Sequence, residues 1–294
     1  MIGARTPIAS VSLGLAMLDG HLERAADRLE SQSRLRRFVV EFLYFGIKNA
    51  RACLFAAPIF GALVVTPRSC VLGLPRYDAL LVVALVIQSW MVWSRLETVD
   101  ELKAITQFHV VGFALEVFMT SFSVQSWSYP DFAYTKLLGV PLFSGFMYAA
   151  VCSYIIQAWR LFDIRIEHHP RYWLAGALAA AIYANFFTRH YVGDYRWYLA
   201  AFALWLNARA TVVFRPLDRP RSMPLWLYFV LIGFFIWLAE NIGTLLGAWR
   251  YPNQIGARSA AHVGEWSSWS PLVIMTATIV ANLKRVKERI HVPD

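Results

Sequence analysis

The chain has 294 residues, of which 58% are hydrophobic, 15% aromatic and only 16% charged, with a mean hydropathy of +0.46. A soluble domain carries roughly a quarter charged residues, so this composition excludes an ordinary water-soluble globule and predicts an all-α, polytopic transmembrane helical bundle. The net charge of +9 does not imply nucleic-acid binding, because the basic residues fall in short segments between apolar runs, where they report membrane topology.

From the N-terminus, the run IASVSLGLAML is too short to span a bilayer. The residues after it, LDGHLERAADRLESQSRLRRF, read as a cytoplasmic amphipathic surface segment covering 1–37 rather than as the cleavage region of a signal peptide. A single transmembrane domain is expected over 38–290. Apolar runs of about twenty residues predict eight helices, at roughly 41–66, 77–95, 104–124, 139–159, 172–188, 196–214, 224–246 and 268–283. Glu41, Lys48, Asn49 and Arg51 interrupt the first, which is expected to follow the interface before turning inward near Ala52. Pro67, Pro75, Pro170, Pro216, Pro220, Pro224 and Pro271 fall at or near predicted helix ends, as suits a residue without an amide donor.

Basic residues concentrate in alternate loops. One set includes Arg34, Arg36, Arg37, Arg95, Lys103, Arg160, Arg165, Arg215, Arg219, Lys284 and Lys287, and it outnumbers the set of Arg68, Arg76, Lys136, Arg189, Arg196, Arg250 and Arg258. Both termini are therefore expected in the cytoplasm. Cys53, Cys70 and Cys152 form no metal-type spacing and read as small apolar fillers.

One pattern occurs twice. FALEVFMTSFSVQSWSYPD and WLAENIGTLLGAWRYPN share Glu-x-x-x-Thr followed by Trp-x-Tyr-Pro, on Glu116, Thr120, Trp127, Tyr129 and Pro130, and on Glu240, Thr244, Trp249, Tyr251 and Pro252. The predicted third and seventh helices run the same way, so the chain reads as two parallel four-helix repeats, about 38–160 and 170–290. Carboxylates inside a membrane are costly and mark function, so Glu116 and Glu240 are the candidate catalytic acids. Continuous helix would place them roughly 14–16 Å below their tryptophans. Thr120 and Thr244, one turn on, share the glutamates' faces, and Asn241 lies beside Glu240. His109, two turns before Glu116, is a candidate proton route. Trp127, Tyr129, Trp249 and Tyr251 read either as interfacial anchors or as the aromatic wall of a substrate pocket. Asn185 and His190, with Arg189 and Asp194, form a second polar group at the outer end of the fifth helix.

Several chemistries are set aside. The seven histidines make neither an HxxxH nor an HxxHH pattern, no DDxxD pair is present, the predicted seventh helix carries no lysine, and no phosphate loop or Gly-x-Ser-x-Gly turn appears. No metal and no cofactor are expected.

The segments LEVFMTSF, WSYPD, GVPLFSGFMYAAVCSYIIQAWRLFDIR, NFFTRHY and FIWLAENIGTLLGAWRYPNQ resemble a bacterial membrane family catalogued as domain of unknown function 817, from about Pro75 to Lys284. This resemblance implies an integral protein of the bacterial inner membrane and brings no assigned activity. A shorter stretch, with Glu116, Trp127, Tyr129 and then Gly139-Val140-Pro141-Leu142 opening the next helix, is similar to the lycopene cyclase and carotenoid hydratase groups. That similarity implies cofactor-free or redox-neutral acid chemistry on the ends of a polyene isoprenoid, with carboxylates supplying the proton. No Pro-x-Glu-Glu motif is present, and the second copy reads His262-Val263-Gly264-Glu265. Three readings follow: an enzyme (cyclase, hydratase or isomerase type) on a lipophilic isoprenoid or other lipid; a proton- or cation-coupled transporter using the same glutamates; and a non-catalytic membrane protein in which they fix packing. Membrane lipids are the expected partners, nucleic acid is not, and no oligomeric state follows.

Overall fold

The structure, a computed structural model, describes residues 20, 34–67, 70, 71, 73–252 and 273. Most of the amphipathic N-terminal segment, the eighth predicted helix and the His262–Glu265 stretch lie outside the described residues. Eight helices are described: α1 (Arg34–Ala52), α2 (Ala56–Val65), α3 (Arg76–Trp93), α4 (Val99–Thr120), α5 (Ser144–Leu161), α6 (Tyr172–Thr188), α7 (Arg196–Leu206) and α8 (Leu225–Leu245). α3, α4 and α8 are each long and apolar enough to cross a membrane, and α1 with α2 adds a fourth such unit bent by 74°.

The all-α expectation is corrected to mostly helical. β1 (Cys70–Val71) and β2 (Leu74–Pro75) form one antiparallel ribbon, and β3 (Lys136–Leu137) and β4 (Val140–Pro141) another. Leu138 and Gly139, with φ of 54° and 84°, supply the two-residue loop of the second ribbon. Val140-Pro141 therefore closes a hairpin, and the next helix begins only at Ser144. A three-stranded antiparallel sheet joins β5 (Arg165–Glu167), β6 (Thr211–Phe214) and β7 (Arg221–Pro224), with β6 in the centre.

That sheet also corrects the sixth predicted helix, which stops at Leu206 instead of running to 214. Asn207 folds its side-chain amide back onto the Ala203 carbonyl (2.9 Å), and Ala210 closes a turn onto Asn207. Thr211, Val212, Val213 and Phe214 are β-branched or aromatic; the first three pair on both sides and Phe214 with Arg221 alone, instead of continuing the helix.

α4 and α5 are closely apposed, and two glycines make this possible. A Cβ on Gly112 would lie 2.3 Å from Cγ of Tyr148, and one on Gly145 would lie 2.8 Å from both the ring and the carbonyl of His109. α4 opens with a capping box, Thr98 accepting from the Glu101 amide while Glu101 accepts from the Thr98 amide.

Among the described residues, several members of the two loop sets fall in two clusters. Arg37 and Asp218, Arg221 and Glu41, and Arg160 and Glu101 pair in one. Arg76, Asp131 and Lys136 gather around the Trp-x-Tyr-Pro segments in the other. In the first cluster, in the turn between α3 and α4, Glu97 is 1% exposed. Its carboxyl accepts from Ser153 Oγ (2.5 Å) and Gln88 Nε2 (2.6 Å). Burial pushes this carboxyl above its ordinary value of 4.5, against those hydrogen bonds, which pull it down. An acid with a raised folded-state pKa holds its proton more tightly folded than unfolded, so stability is highest below the ordinary value and declines as pH rises through the raised one. Thermal unfolding from pH 4 upward should show this decline in the wild-type protein, and Glu97→Gln should flatten it; an unchanged slope in the variant would refute the assignment.

Candidate functional site

Glu116 lies four residues before the end of α4 and Glu240 five before the end of α8. Both side chains are buried, the residues being 3% and 5% exposed. Helical rise places each about one to one and a half turns below its helix end, on the order of 6–8 Å. The helices run unbroken through both glutamates, without the unwound backbone that marks discontinuous-helix transport sites.

The chain then folds back on itself, which overturns the expected 14–16 Å gap between each glutamate and its tryptophan. α4 stops at Thr120, and the stretch from Ser121 to Ser126 reverses direction, with Gln125 at φ 47° and the Ser126 amide bonded to the Met119 carbonyl. Trp127 is thereby returned to the helix end, its Nε1 donating to Glu116 Oε2 at 2.6 Å. Tyr129 donates to the same oxygen at 2.8 Å. Tyr148, from α5, donates to Oε1 at 2.8 Å. Three donors converge on one buried carboxyl, which places it in an acceptor role.

The second copy reaches the same end by a shorter route. α8 closes in a Schellman motif: Gly247, at φ 74°, donates to the Thr244 carbonyl, and Ala248 donates to that of Gly243. Trp249 then packs its ring on the bare backbone of Gly243, where a Cβ would lie 2.5 Å from it. Tyr251 donates its hydroxyl to Glu240 Oε1. The two-residue difference in spacing between the copies is the difference between these two helix endings.

The copies also meet. Ser128 and Arg250, the middle residues of the two Trp-x-Tyr motifs, exchange both backbone hydrogen bonds at 2.9 Å as an antiparallel bridge. Strand alternation puts the flanking aromatics on one face of that bridge. Trp127 accordingly stands edge-on to Tyr251, ring centroids 6.0 Å apart. Tyr129 and Trp249 share a buried cluster with Tyr77, Val140 and Phe143. Tyr77 anchors the second copy by donating to the Ala248 carbonyl (2.9 Å), and Lys136 anchors the first by donating to that of Tyr129 (2.7 Å). Tyr148 lies within electrostatic reach of Glu240 and Tyr251 while bonded to Glu116. The structure thus brings Glu116, Trp127, Tyr129, Glu240, Trp249 and Tyr251 to one locus.

The remaining candidates are placed differently. The Thr120 hydroxyl donates to the Glu116 backbone carbonyl (2.8 Å), and Thr244 donates to that of Asn241 (3.0 Å). Asn241 sends its amide to the Trp237 carbonyl (2.8 Å). On Glu116 it is the aromatic donors, not Thr120, that orient the acid. His109 packs on Gly145 and Phe146, its ring centroid 4.4 Å from that of Phe146 and its Nδ1 buried without a hydrogen-bond partner. Asn185 accepts from the Tyr195 amide, holding the α6–α7 turn. His190 is exposed beside Phe118, and partial burial together with the Arg189 cation keeps its imidazole below the ordinary value. Tyr148 was missed by sequence reasoning; its signal was Gly112, one turn before Glu116 and able to admit a ring. Among the described residues no group of three or more His, Cys, Asp or Glu is placed to hold a metal ion.

A family described as "Protein of unknown function (DUF817)" matches residues 41–277. The chain belongs to that family. It is 49% identical over 253 residues to the "Uncharacterized protein YoaT" of Bacillus subtilis (strain 168), a match covering 86% of this chain and 95% of the relative. No solved structure matches it. Both glutamates, both Trp-x-Tyr motifs and Tyr148 fall within the family's span.

Proposed function

We propose that this protein is a polytopic protein of the bacterial inner membrane, with both termini cytoplasmic, and that its paired glutamates act as an acid–base couple on a lipophilic molecule. The observation that supports this most is the doubled Tyr–Glu hydrogen bond, one in each repeat, on one face of the Ser128–Arg250 bridge. One carboxyl delivers its proton to an alkene carbon, forming a C–H bond. The cation this leaves on the other alkene carbon is quenched when the second carboxyl, as carboxylate, removes a proton from the next carbon beyond it, so the double bond moves one position without net oxidation or reduction. Tyr148 and Tyr129 return the proton between turnovers, and the aromatic faces of Trp127 and Trp249 stabilise the intervening cation. An isoprenoid is the substrate class that this chemistry suits, and neither metal nor cofactor is needed for it.

Purified protein in vesicles of native membrane lipid, incubated in heavy water, tests the proposal. Mass spectrometry should find deuterium entering an apolar lipid with the wild-type protein and not with Glu116→Gln or Glu240→Gln. Vesicles that lose a pH gradient without deuterium incorporation would instead establish transport. Neither signal, in folded protein, would leave the glutamates as packing devices.

A further inference from the structure

α1 is amphipathic in the inverted sense. Its inward face carries Arg37, Glu41, Tyr44 and Lys48. Its outward face carries Leu35, Phe38, Val39, Phe42, Leu43 and Ile47, each 38–72% exposed. Each inward group named meets the segment that joins β6 to β7 or Arg221, the first residue of β7. Arg37 pairs with Asp218 (2.9 Å), Glu41 with Arg221 (2.5 Å), and Tyr44 packs on Leu217. Lys48 donates to the Arg215 carbonyl at 3.1 Å. Positions 37 to 48 span about 16 Å of helix, so α1 runs along this segment instead of crossing it.

The segment marks the bilayer's edge. A sheet of three short strands leaves unpaired backbone groups at its edges, and hydrocarbon does not accommodate these. The Arg215, Arg219 and Arg221 side chains are also at least half exposed. From these observations we infer that α1 is an interfacial helix lying in the plane of the cytoplasmic leaflet. Its outward apolar face sits at the headgroup–acyl boundary, and exposed arginines on its rim, Arg36 and Arg219, engage anionic headgroups. The partner is the anionic bilayer surface, which the basic rim complements in charge. The 74° bend into α2 is where the chain leaves this plane.

Spin labels on cysteines placed at Leu35, Phe38, Phe42 and Ile47 test this in full-length protein reconstituted in phosphatidylethanolamine–phosphatidylglycerol vesicles, with Cys53, Cys70 and Cys152 replaced by alanine. The same labels in the native-cysteine chain, read as differences from the labelled parent, cover the case in which the replacement disturbs folding. All four sites should collide with oxygen several-fold more often than with a water-soluble nickel chelate, at one common shallow depth. Phosphatidylcholine in place of phosphatidylglycerol should move them toward water. Depth rising steadily from 35 to 47 would show a span, accessibility to the nickel chelate would show a solvated helix, and shielding from both reagents would show a covering protein. A depth indifferent to lipid charge would remove the headgroup contacts. Any of these outcomes overturns the inference.

Discussion

Glu116→Leu is expected to destabilise the protein by on the order of 3 kcal/mol. The substitution strands three donors, Trp127 Nε1, Tyr129 Oη and Tyr148 Oη, that now share one carboxyl. An unsatisfied buried donor costs about 1–3 kcal/mol, and re-pairing of such groups within a bilayer brings the mean nearer 0.6 kcal/mol. Glu116→Gln keeps a carbonyl acceptor and should lose about half as much, while Tyr129→Phe and Tyr148→Phe should each cost about 1 kcal/mol. Unfolding in mixed micelles with increasing denaturing detergent measures all four. If the leucine variant is no less stable than Tyr129→Phe, the network does not hold the helix ends together.

Gly112→Ala is expected to cost about 2–3 kcal/mol, although alanine is the better helix former by roughly 1 kcal/mol. The added carbon would lie 2.3, 2.5 and 2.6 Å from Cγ, Cδ2 and Cβ of Tyr148, the root of that side chain, which cannot swing away without moving α5. It should also pull the Tyr148 hydroxyl from Glu116, so Gly112→Ala combined with Tyr148→Phe should cost less than the sum of the two. Gly243→Ala meets only the far edge of the Trp249 ring and should cost less. Gly46→Ala, in α1 with open space around it, should stabilise by about 0.5–1 kcal/mol. The same micelle titration reads these signs, and a neutral Gly112→Ala would mean that α4 and α5 can separate freely.

How far the site was legible depended on whether a signal was local. Glu116 and Glu240 stood out because a carboxylate in an apolar run is conspicuous, and the repeated Trp-x-Tyr-Pro marked its own partners. Their geometry is not local. Hydropathy continues the helix toward Trp127, whereas Gln125 at positive φ turns the chain back onto Glu116. Thr120 shares the face of Glu116, but its hydroxyl donates to the backbone carbonyl of the preceding turn. The sheet was missed because β5 is three residues long and its partners lie over forty residues away.

The sequence by itself determined the apolar helices, the doubled motif and the two sets of basic loops, since composition and short-range spacing encode all three; the family followed from the likeness of whole segments to its members. Only the tertiary structure decided that Tyr148 and Trp127 hold Glu116, that Ser128 and Arg250 join the two copies, and that α1 turns its polar face inward. The physical reason is one of range. Hydropathy and periodicity act within a few turns, whereas a hydrogen bond from α5 to α4, or a bridge between residues 122 positions apart, exists only once packing has brought distant segments together.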